Sequence, residues 1–244
     1  MRADYTLARL YIDRPLTAGE QIDLPKPQAH YIATVLRKSE GDAVRLFNGT
    51  DGEWRADIIT AGKKGVSLTI GRQLRAPVPM PDIWLLFAPV KRARTDFIIE
   101  KATELGAAQI RPVITARTQF PKIRIDRMRA QVIEAAEQTE RLDIPGVSEP
   151  LKLDAVLDDW DAARPLIFAD EAGGGQSAFK ACSAIIGPAA ILIGPEGGFT
   201  DKERELLLSK PFVRPVSLGP RILRADTAAV SLLTLYQAAS GDWA

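Results

Sequence analysis

The sequence contains very little cysteine and histidine, one of each in 244 residues. A single cysteine, Cys182, excludes an internal disulfide framework and any zinc site built from several cysteines. Its neighbours Ala181, Ser183 and Ala184 are uncharged. We therefore interpret Cys182 as a small buried residue rather than a reactive thiol, and we expect no metal site.

Long apolar runs and nucleotide-binding motifs are also missing. No apolar run approaches the roughly 20 residues that a membrane span requires, and the first residues lack the apolar segment of a secretion signal. We therefore expect a cytoplasmic protein. The glycine-rich residues 194–198 lack the G-x-G-x-x-G spacing, which disfavours a dinucleotide site. The net charge of +1 does not decide for or against nucleic acid, because the basic residues would have to be concentrated on one face.

The most informative feature present is a pair of Gly-Pro segments near the C-terminus, ILIGPEGGFT at residues 191–200 and LGPRILRADTAA at residues 218–229. Each begins as a short apolar run, breaks at Gly-Pro and leads into a helix-like stretch. We expect the two turns to lie side by side at one edge of a sheet. There they would offer backbone groups to a single small ligand, because glycine allows close approach and proline fixes φ.

The first part of the chain, residues 1–74, predicts a small β-barrel. Strand patterns lie at residues 16–24, 43–47, 54–60 and 66–70. Turn signals lie at Asn48-Gly49, Asp51-Gly52 and Lys63-Lys64-Gly65. Several short strands at near-regular spacing are typical of such barrels, and one helical stretch at residues 29–37 interrupts them. Three prolines within residues 75–81 indicate a linker.

Residues 82–244 alternate between strands and helices. Strands are predicted at residues 83–88, 109–114, 165–169, 189–193 and 213–218. Helices are predicted at residues 95–105, 126–142, 200–209 and 226–239, with a capping box at Thr200-x-x-Glu203. This alternation predicts an α/β domain with a mostly parallel sheet, whose ligands bind beyond the carboxyl ends of the strands.

Six short segments carry a resemblance to a known family: residues 30–37 (HYIATVLR), 41–49 (GDAVRLFNG), 101–106 (KATELG), 137–141 (EQTER), 193–198 (IGPEGG) and 218–224 (LGPRILR). With them the chain resembles the SPOUT (α/β-knot) RNA methyltransferases, and more closely the RsmE family of 16S ribosomal RNA uridine N3-methyltransferases. The resemblance extends from about residue 9 to residue 242. One departure is Asp226, where the family pattern has glutamate.

The resemblance implies two domains, a PUA-like β-barrel RNA-binding domain at residues 1–74 and a SPOUT methyltransferase domain with a trefoil knot at residues 82–244, joined by the linker at residues 75–81. It also implies a homodimer that binds S-adenosylmethionine. The implied substrate is 16S rRNA in the 30S ribosomal subunit, at uridine 1498 in the usual rRNA numbering.

The resemblance also implies a cofactor pocket at the two Gly-Pro segments. Its expected residues are Leu192, Ile193, Gly194, Pro195, Glu196, Gly197, Leu218, Gly219, Arg221, Ile222 and Leu223. Glu196 has two possible uses: its carboxylate either offsets the positive sulfonium of the cofactor or caps the following helix.

Methylation at N3 requires a uracil that has lost its N3 proton, and a fixed cation beside O2 and O4 favours that anion. Arg221 and Arg224 are the catalytic candidates, because a guanidinium offers a planar donor fork to such oxygens. The alternative for either arginine is a salt bridge across the dimer. Asp226 is a candidate general base, and equally a candidate N-cap of the last helix.

Basic residues outside the two turns are candidates for RNA contact: Arg9, His30, Arg37, Lys91, Arg92, Arg94 and Arg141. The alternative is ordinary solvated surface charge. Although His30 is the only histidine, its distance in sequence from the two turns favours a structural or RNA-positioning role over catalysis.

The sequence is compatible with two other functions. Another SPOUT enzyme, such as a ribose 2′-O-methyltransferase, is disfavoured by RILRADT at residues 221–227. A non-catalytic RNA-binding assembly factor is disfavoured by the intact Gly-Pro turns.

Overall fold

The computed structural model describes residues 2–62, 65–173 and 175–244, so Lys63 and Lys64 of the second predicted turn lie outside the described residues. The chain forms two compact units. One contains Met1–Pro79 and Ala136–Ile144, and the other contains Met80–Ala135 and Pro145–Ala244. The contiguous division predicted from the sequence did not include this return of the chain to the first unit.

The first unit is built on a five-stranded sheet. Its elements are a 3-10 helix at Arg2–Thr6, β1 Arg9–Tyr11, β2 Gln21–Asp23, α1 Lys26–His30 with a π-helical turn at Tyr31–Val35, β3 Ala43–Phe47, β4 Glu53–Gly62 and β5 Gly65–Arg75. The strand order is β1-β3-β4-β5-β2, in which only the described pair β1 and β3 is parallel. The sequence did not predict β1, because three residues are too few to show a strand pattern.

A buried cluster of charges lies within this unit. The carboxylate of Glu53, only 1% exposed, accepts hydrogen bonds from Arg9 Nε at 2.6 Å and Arg75 Nε at 3.0 Å. Arg45 Nη1 lies 3.5 Å from the same carboxylate, and Arg45 also pairs with Glu140 at 2.7 Å. Burial tends to raise the pKa of Glu140, but the hydrogen bond from Arg45 and the surrounding arginine charges bring it below its ordinary value.

Arg9 also fixes the segment of chain that returns to the first unit. Its Nη1 donates to the carbonyl of Ala136 at 2.6 Å, and its Nη2 donates to the carbonyl of Arg141 at 2.7 Å. The backbone N–H of Tyr11 donates to the Glu137 carboxylate at 2.9 Å. A single buried arginine thus donates to carbonyl groups near the end of a helix, where the last carbonyls have no hydrogen-bond donor within the helix itself.

The second unit is a parallel sheet with helices. Its elements are β6 Ile83–Phe87, α2 Arg92–Glu104, β7 Gln109–Ile114, α3 Ile125–Gln138 (which enters the first unit at Ala136), β8 Gly146–Val147, β9 Leu151–Lys152, α4 Leu153–Asp158, β10 Leu166–Ala169, β11 Gln176–Ser177, α5 Ala178–Ser183, β12 Ala189–Ile193, α6 Asp201–Ser209, β13 Val213–Ser217 and α7 Ala225–Ser240. The main order is β11-β13-β10-β12-β6-β7-β8, and β9 pairs with β7. All of these described pairs are parallel.

The sequence predicted the principal strands and helices of this unit. The bounds of β7 and β12 are as predicted, and every residue of β12 is buried. The predicted long helix, by contrast, ends at Gln138 rather than at residue 142. Glu140 has a left-handed backbone with φ of +60°, which a continuing helix cannot accommodate. The helices α4 and α5 were missed because six residues show too little of the helical period.

Cys182 is fully buried on α5, and burial raises the pKa of its thiol to about 11. The interpretation of this cysteine as a small buried residue is confirmed. Among the described residues, no helix is both long and apolar enough to cross a membrane.

Replacement of Glu53 tests the buried charge cluster. Because Arg9 and Arg45 would lose a buried counter-charge, we expect Glu53→Gln to lower the free energy of unfolding by about 3 kcal/mol. The measurement is urea unfolding of the full chain at neutral pH. Asp57→Asn is the matched control, since Asp57 lies on the same strand in an exposed pair with Arg55. It should cost about 1 kcal/mol or less. Equal losses for both variants would contradict the assignment.

Candidate functional site

Three neighbouring parallel strands of the second unit end at one edge of the sheet. Strand β10 pairs with β12 on one side and with β13 on the other. The two Gly-Pro bends follow β12 and β13, so they flank the end of β10. We expected the two bends to be immediate neighbours, but β10 lies between their strands. The carboxyl ends of parallel strands point the same way, so all three following loops meet at one place.

These loops and two helices line a cavity of about 430 Å³. The lining comprises residues 169–171 and 173 after β10, residues 193–196, 198 and 199 after β12, and residues 216–225 around the end of β13, with Arg94 from α2 and Ala228 from α7. This volume is within the range of sites for small molecules. Most of the lining consists of backbone and apolar groups, with charged side chains at a few positions.

The loop after β12 is held tightly from several sides. Gly198 has a φ of +67°, and its N–H donates to the carbonyl of Pro195 at 2.9 Å. Arg117 Nη1 donates to the carbonyl of Gly197 at 2.8 Å and reaches that of Phe199 at 3.3 Å. The loop is therefore held by a hydrogen bond within it and by Arg117 from outside it, and the sequence did not predict this role of Arg117.

The capping box that begins α6 is confirmed. Thr200 Oγ1 accepts from the Glu203 N–H, and the Glu203 carboxylate accepts from the Thr200 N–H at 2.9 Å. Because Thr200 caps this helix, the capping alternative for Glu196 is wrong. The Glu196 carboxylate instead accepts a hydrogen bond from Arg94 Nη1 inside the cavity.

Asp226 lies in the first turn of α7. The helix begins at Ala225 and its N-cap position is Arg224, so the N-cap alternative for Asp226 is also wrong. Asp226 Oδ1 accepts from the N–H of Thr227 at 2.9 Å. Its Oδ2 lies 3.9 Å from Arg94 Nε, which is too long for a hydrogen bond but close enough for strong electrostatic attraction.

The catalytic candidates Arg221 and Arg224 both line the cavity and are exposed. Within residues 2–62, 65–173 and 175–244, neither guanidinium has an ion-pair partner, whereas most arginines of the first unit have one. Such side chains are available to a ligand from outside the chain.

Most of the expected cofactor residues come together around the cavity. Those that line it are Ile193, Gly194, Pro195, Glu196, Leu218, Gly219, Arg221, Ile222 and Leu223. The structure places Leu192 and Gly197 outside the lining. The side chain of Leu192 is fully buried in a core cluster with Phe168, and Gly197 is turned towards Arg117. Asp170 and Glu171, in the loop that follows β10, also line the cavity.

The expected RNA-contacting residues separate into three groups. His30, Arg37, Lys91 and Arg92 are exposed. Arg94 points into the cavity. Arg9 and Arg141 are buried, with 6% and 7% exposure, so their guanidinium groups are not accessible to a phosphate, and we drop both from the RNA surface. Arg141 instead pairs with Asp143 at 2.8 Å.

Two family profiles match the sequence. One is described as an RNA methyltransferase domain and covers residues 77–237. The other is described as an RNA methyltransferase PUA domain and covers residues 24–71. The first includes all the residues that line the cavity.

Full-length relatives are also similar. Ribosomal RNA small subunit methyltransferase E from Rickettsia conorii is 36% identical, with 92% of this chain and 93% of that protein covered. A solved Legionella pneumophila methyltransferase in complex with the bound cofactor SAM is 32% identical, covers 97% of this chain and 99% of its own, and has a TM-score of 0.84. Ribosomal RNA small subunit methyltransferase E from Neisseria gonorrhoeae, bound to S-adenosyl methionine, is 27% identical, covers 98% and 100%, and has a TM-score of 0.86.

Replacement of Gly194 tests how closely the loop is packed. A Cβ at this position would lie 2.6 Å from the ring of Phe199, which itself packs edge-on against Phe168 at 5.1 Å. We expect Gly194→Ala to lower the free energy of unfolding by about 2 kcal/mol, because the ring has little room to move. At Gly197 a Cβ meets only Arg117 at 3.6 Å, so Gly197→Ala in the same loop is the control and should be nearly neutral. A neutral Gly194→Ala, measured by thermal unfolding, would contradict the packing.

Proposed function

The chain belongs to the ribosomal RNA small subunit methyltransferase E family of RNA methyltransferases, and we propose that it uses S-adenosylmethionine to methylate N3 of a uridine in 16S rRNA. The observation that carries the proposal is the cavity at the ends of β12, β10 and β13, formed by the two Gly-Pro bends that the family resemblance rests on. We assign uridine 1498, in the usual rRNA numbering, from that resemblance.

The residues around the cavity fit S-adenosylmethionine chemically. Adenine needs backbone donors and acceptors between apolar walls, and residues 218–223 with Ile193 offer both. A cationic ligand group needs a carboxylate, and Glu196 provides one. When bound, the cofactor supplies a methyl group on a positively charged sulfur. We propose that these residues hold it.

The protein has to favour loss of the proton from N3 of the target uracil. The N3 of uracil is a neutral imide nitrogen and has no free lone pair until its proton leaves, after which the negative charge spreads to O2 and O4. Arg221 and Arg224 are the exposed cations at the cavity, and we assign them to stabilise this anion. Asp226 and Glu196 are the candidates for accepting the proton. The N3–C bond forms as the S–C bond breaks, so the products are the methylated base, S-adenosylhomocysteine and one proton.

Docking of the RNA needs positive charge on the surface. We propose that His30 and Arg37 contribute to it on the first unit, and Lys91 and Arg92 on the second, because all four side chains are exposed. We further propose a cytoplasmic homodimer with a trefoil knot, as the family resemblance implies.

Primer extension on the product distinguishes N3 methylation from ribose methylation. We expect the protein to transfer label from S-adenosylmethionine to unmodified 30S subunits and to create one reverse-transcriptase stop. A methyl group at N3 blocks the base-pairing edge of uracil, whereas a 2′-O-methyl group leaves that edge free. Subunits that already carry the modification are the control and should accept no label. Label without a stop would support a ribose methyltransferase, and the absence of label would support a non-catalytic assembly factor.

Replacement of Arg224 tests the anion-stabilising role. Because the anion exists only during the reaction, we expect Arg224→Ala to lower kcat about 100-fold while the cofactor dissociation constant changes less than about threefold. Arg214→Ala is the control, since Arg214 is exposed on β13 but does not line the cavity. A variant that loses cofactor affinity with unchanged kcat would contradict the role.

A further inference from the structure

Arg94 has an unusual position for a residue expected on the RNA surface. It lies in the first turn of α2, and its side chain lines the cavity together with Glu196. Arg94 Nη1 donates to Glu196 Oε1, and Arg94 Nε lies 3.9 Å from Asp226 Oδ2. The three side chains are only 30%, 30% and 20% exposed, so water screens their charges incompletely.

The charges of Arg94, Glu196 and Asp226 do not cancel. Two carboxylates and one guanidinium sum to one negative charge at this wall of the cavity. Asp170, which is buried in the lining, is neutralised separately, because Arg204 donates to both of its oxygens. Glu171, Arg221 and Arg224 also line the cavity, and their charges stay the same when Arg94 is replaced. The charge that a ligand meets beside Glu196 therefore depends directly on Arg94.

The two ligands that the proposed reaction exchanges differ mainly in charge. S-adenosylmethionine carries a positive sulfur, whereas S-adenosylhomocysteine has lost the methyl group and is neutral at that atom. A single negative charge attracts the first more than the second, and removal of Arg94 would double that charge. Arg94 can therefore regulate the preference through its charge.

We propose that Arg94 is a specificity-determining residue that, by partly neutralising Glu196 and Asp226, sets how strongly the pocket prefers the cationic cofactor over its neutral product. This inference rests on the proposed function, since it takes these two molecules as the ligands. Arg94 acts here through its carboxylate partners, so it is a positioning charge rather than a catalytic residue.

Calorimetry with S-adenosylmethionine and S-adenosylhomocysteine tests the proposal on the free protein, without RNA or turnover. The measured quantity is the dissociation constant of S-adenosylhomocysteine divided by that of S-adenosylmethionine. We expect Arg94→Gln to raise this ratio about fivefold, and Glu196→Gln to lower it by a similar factor, because the two changes alter the local charge in opposite directions. The double variant Arg94→Gln/Glu196→Gln should return the ratio to near that of the unchanged protein.

Arg92→Gln is the matched control. Arg92 lies on the same helix, with a side chain 76% exposed and outside the lining, so loss of its charge should leave the ratio unchanged. Thermal unfolding of each variant verifies that it remains folded. An unchanged ratio in Arg94→Gln, or an equal loss of affinity for both ligands, would overturn the inference. Failure of both ligands to bind the unchanged protein would instead overturn the proposed function, and this inference with it.

Discussion

The whole site depends on the pairing of β10 with β12 and β13. In this register Phe168 lies opposite Leu192 on one side and Pro215 on the other, so the three strands end within one residue of one another. Phe168 and Leu192 are fully buried, and a shift by one residue would move their side chains to the other face of the sheet. The strands thus contribute only residues at their carboxyl ends to the lining, among them Ile193, and their main effect is to bring the three following loops together.

Burial separates the arginines named above into two groups, those that stabilise the fold and those that are accessible to a ligand. Arg9 is enclosed, stacks over the ring of Phe47 at 4.3 Å and donates to Glu53 and to main-chain carbonyls. Arg221 and Arg224 follow a strand end and remain exposed.

Because the pKa of Glu140 lies below its ordinary value, its pairing with the buried arginines stabilises the fold at neutral pH. That contribution disappears as the pH falls through the lowered pKa.

The sequence predicted those features that depend on local patterns. The Gly-Pro bends, the strand β12 and the capping box at Thr200 are each recognisable within ten residues, and each is found in the structure. It did not predict the insertion of β10 between β12 and β13, because strand order depends on contacts between distant segments. The burial of Arg9 was missed for the same reason, since its carbonyl partners lie 127 and 132 residues further along the chain.

Asp226, where the sequence resemblance departs from the family pattern, lies at the edge of hydrogen-bond reach of Arg94. Asp226 is one methylene shorter than glutamate, and its Oδ2 remains 3.9 Å from Arg94 Nε while its Oδ1 is occupied by the N–H of Thr227. Between these two carboxylates, Arg94 therefore forms its hydrogen bond with Glu196. Asp226 still contributes its charge, because Coulomb attraction decreases slowly with distance whereas a hydrogen bond is lost within a few tenths of an ångström. The short side chain thus keeps Asp226 in the charge balance of the cavity but leaves its outer oxygen free of a direct bond from Arg94.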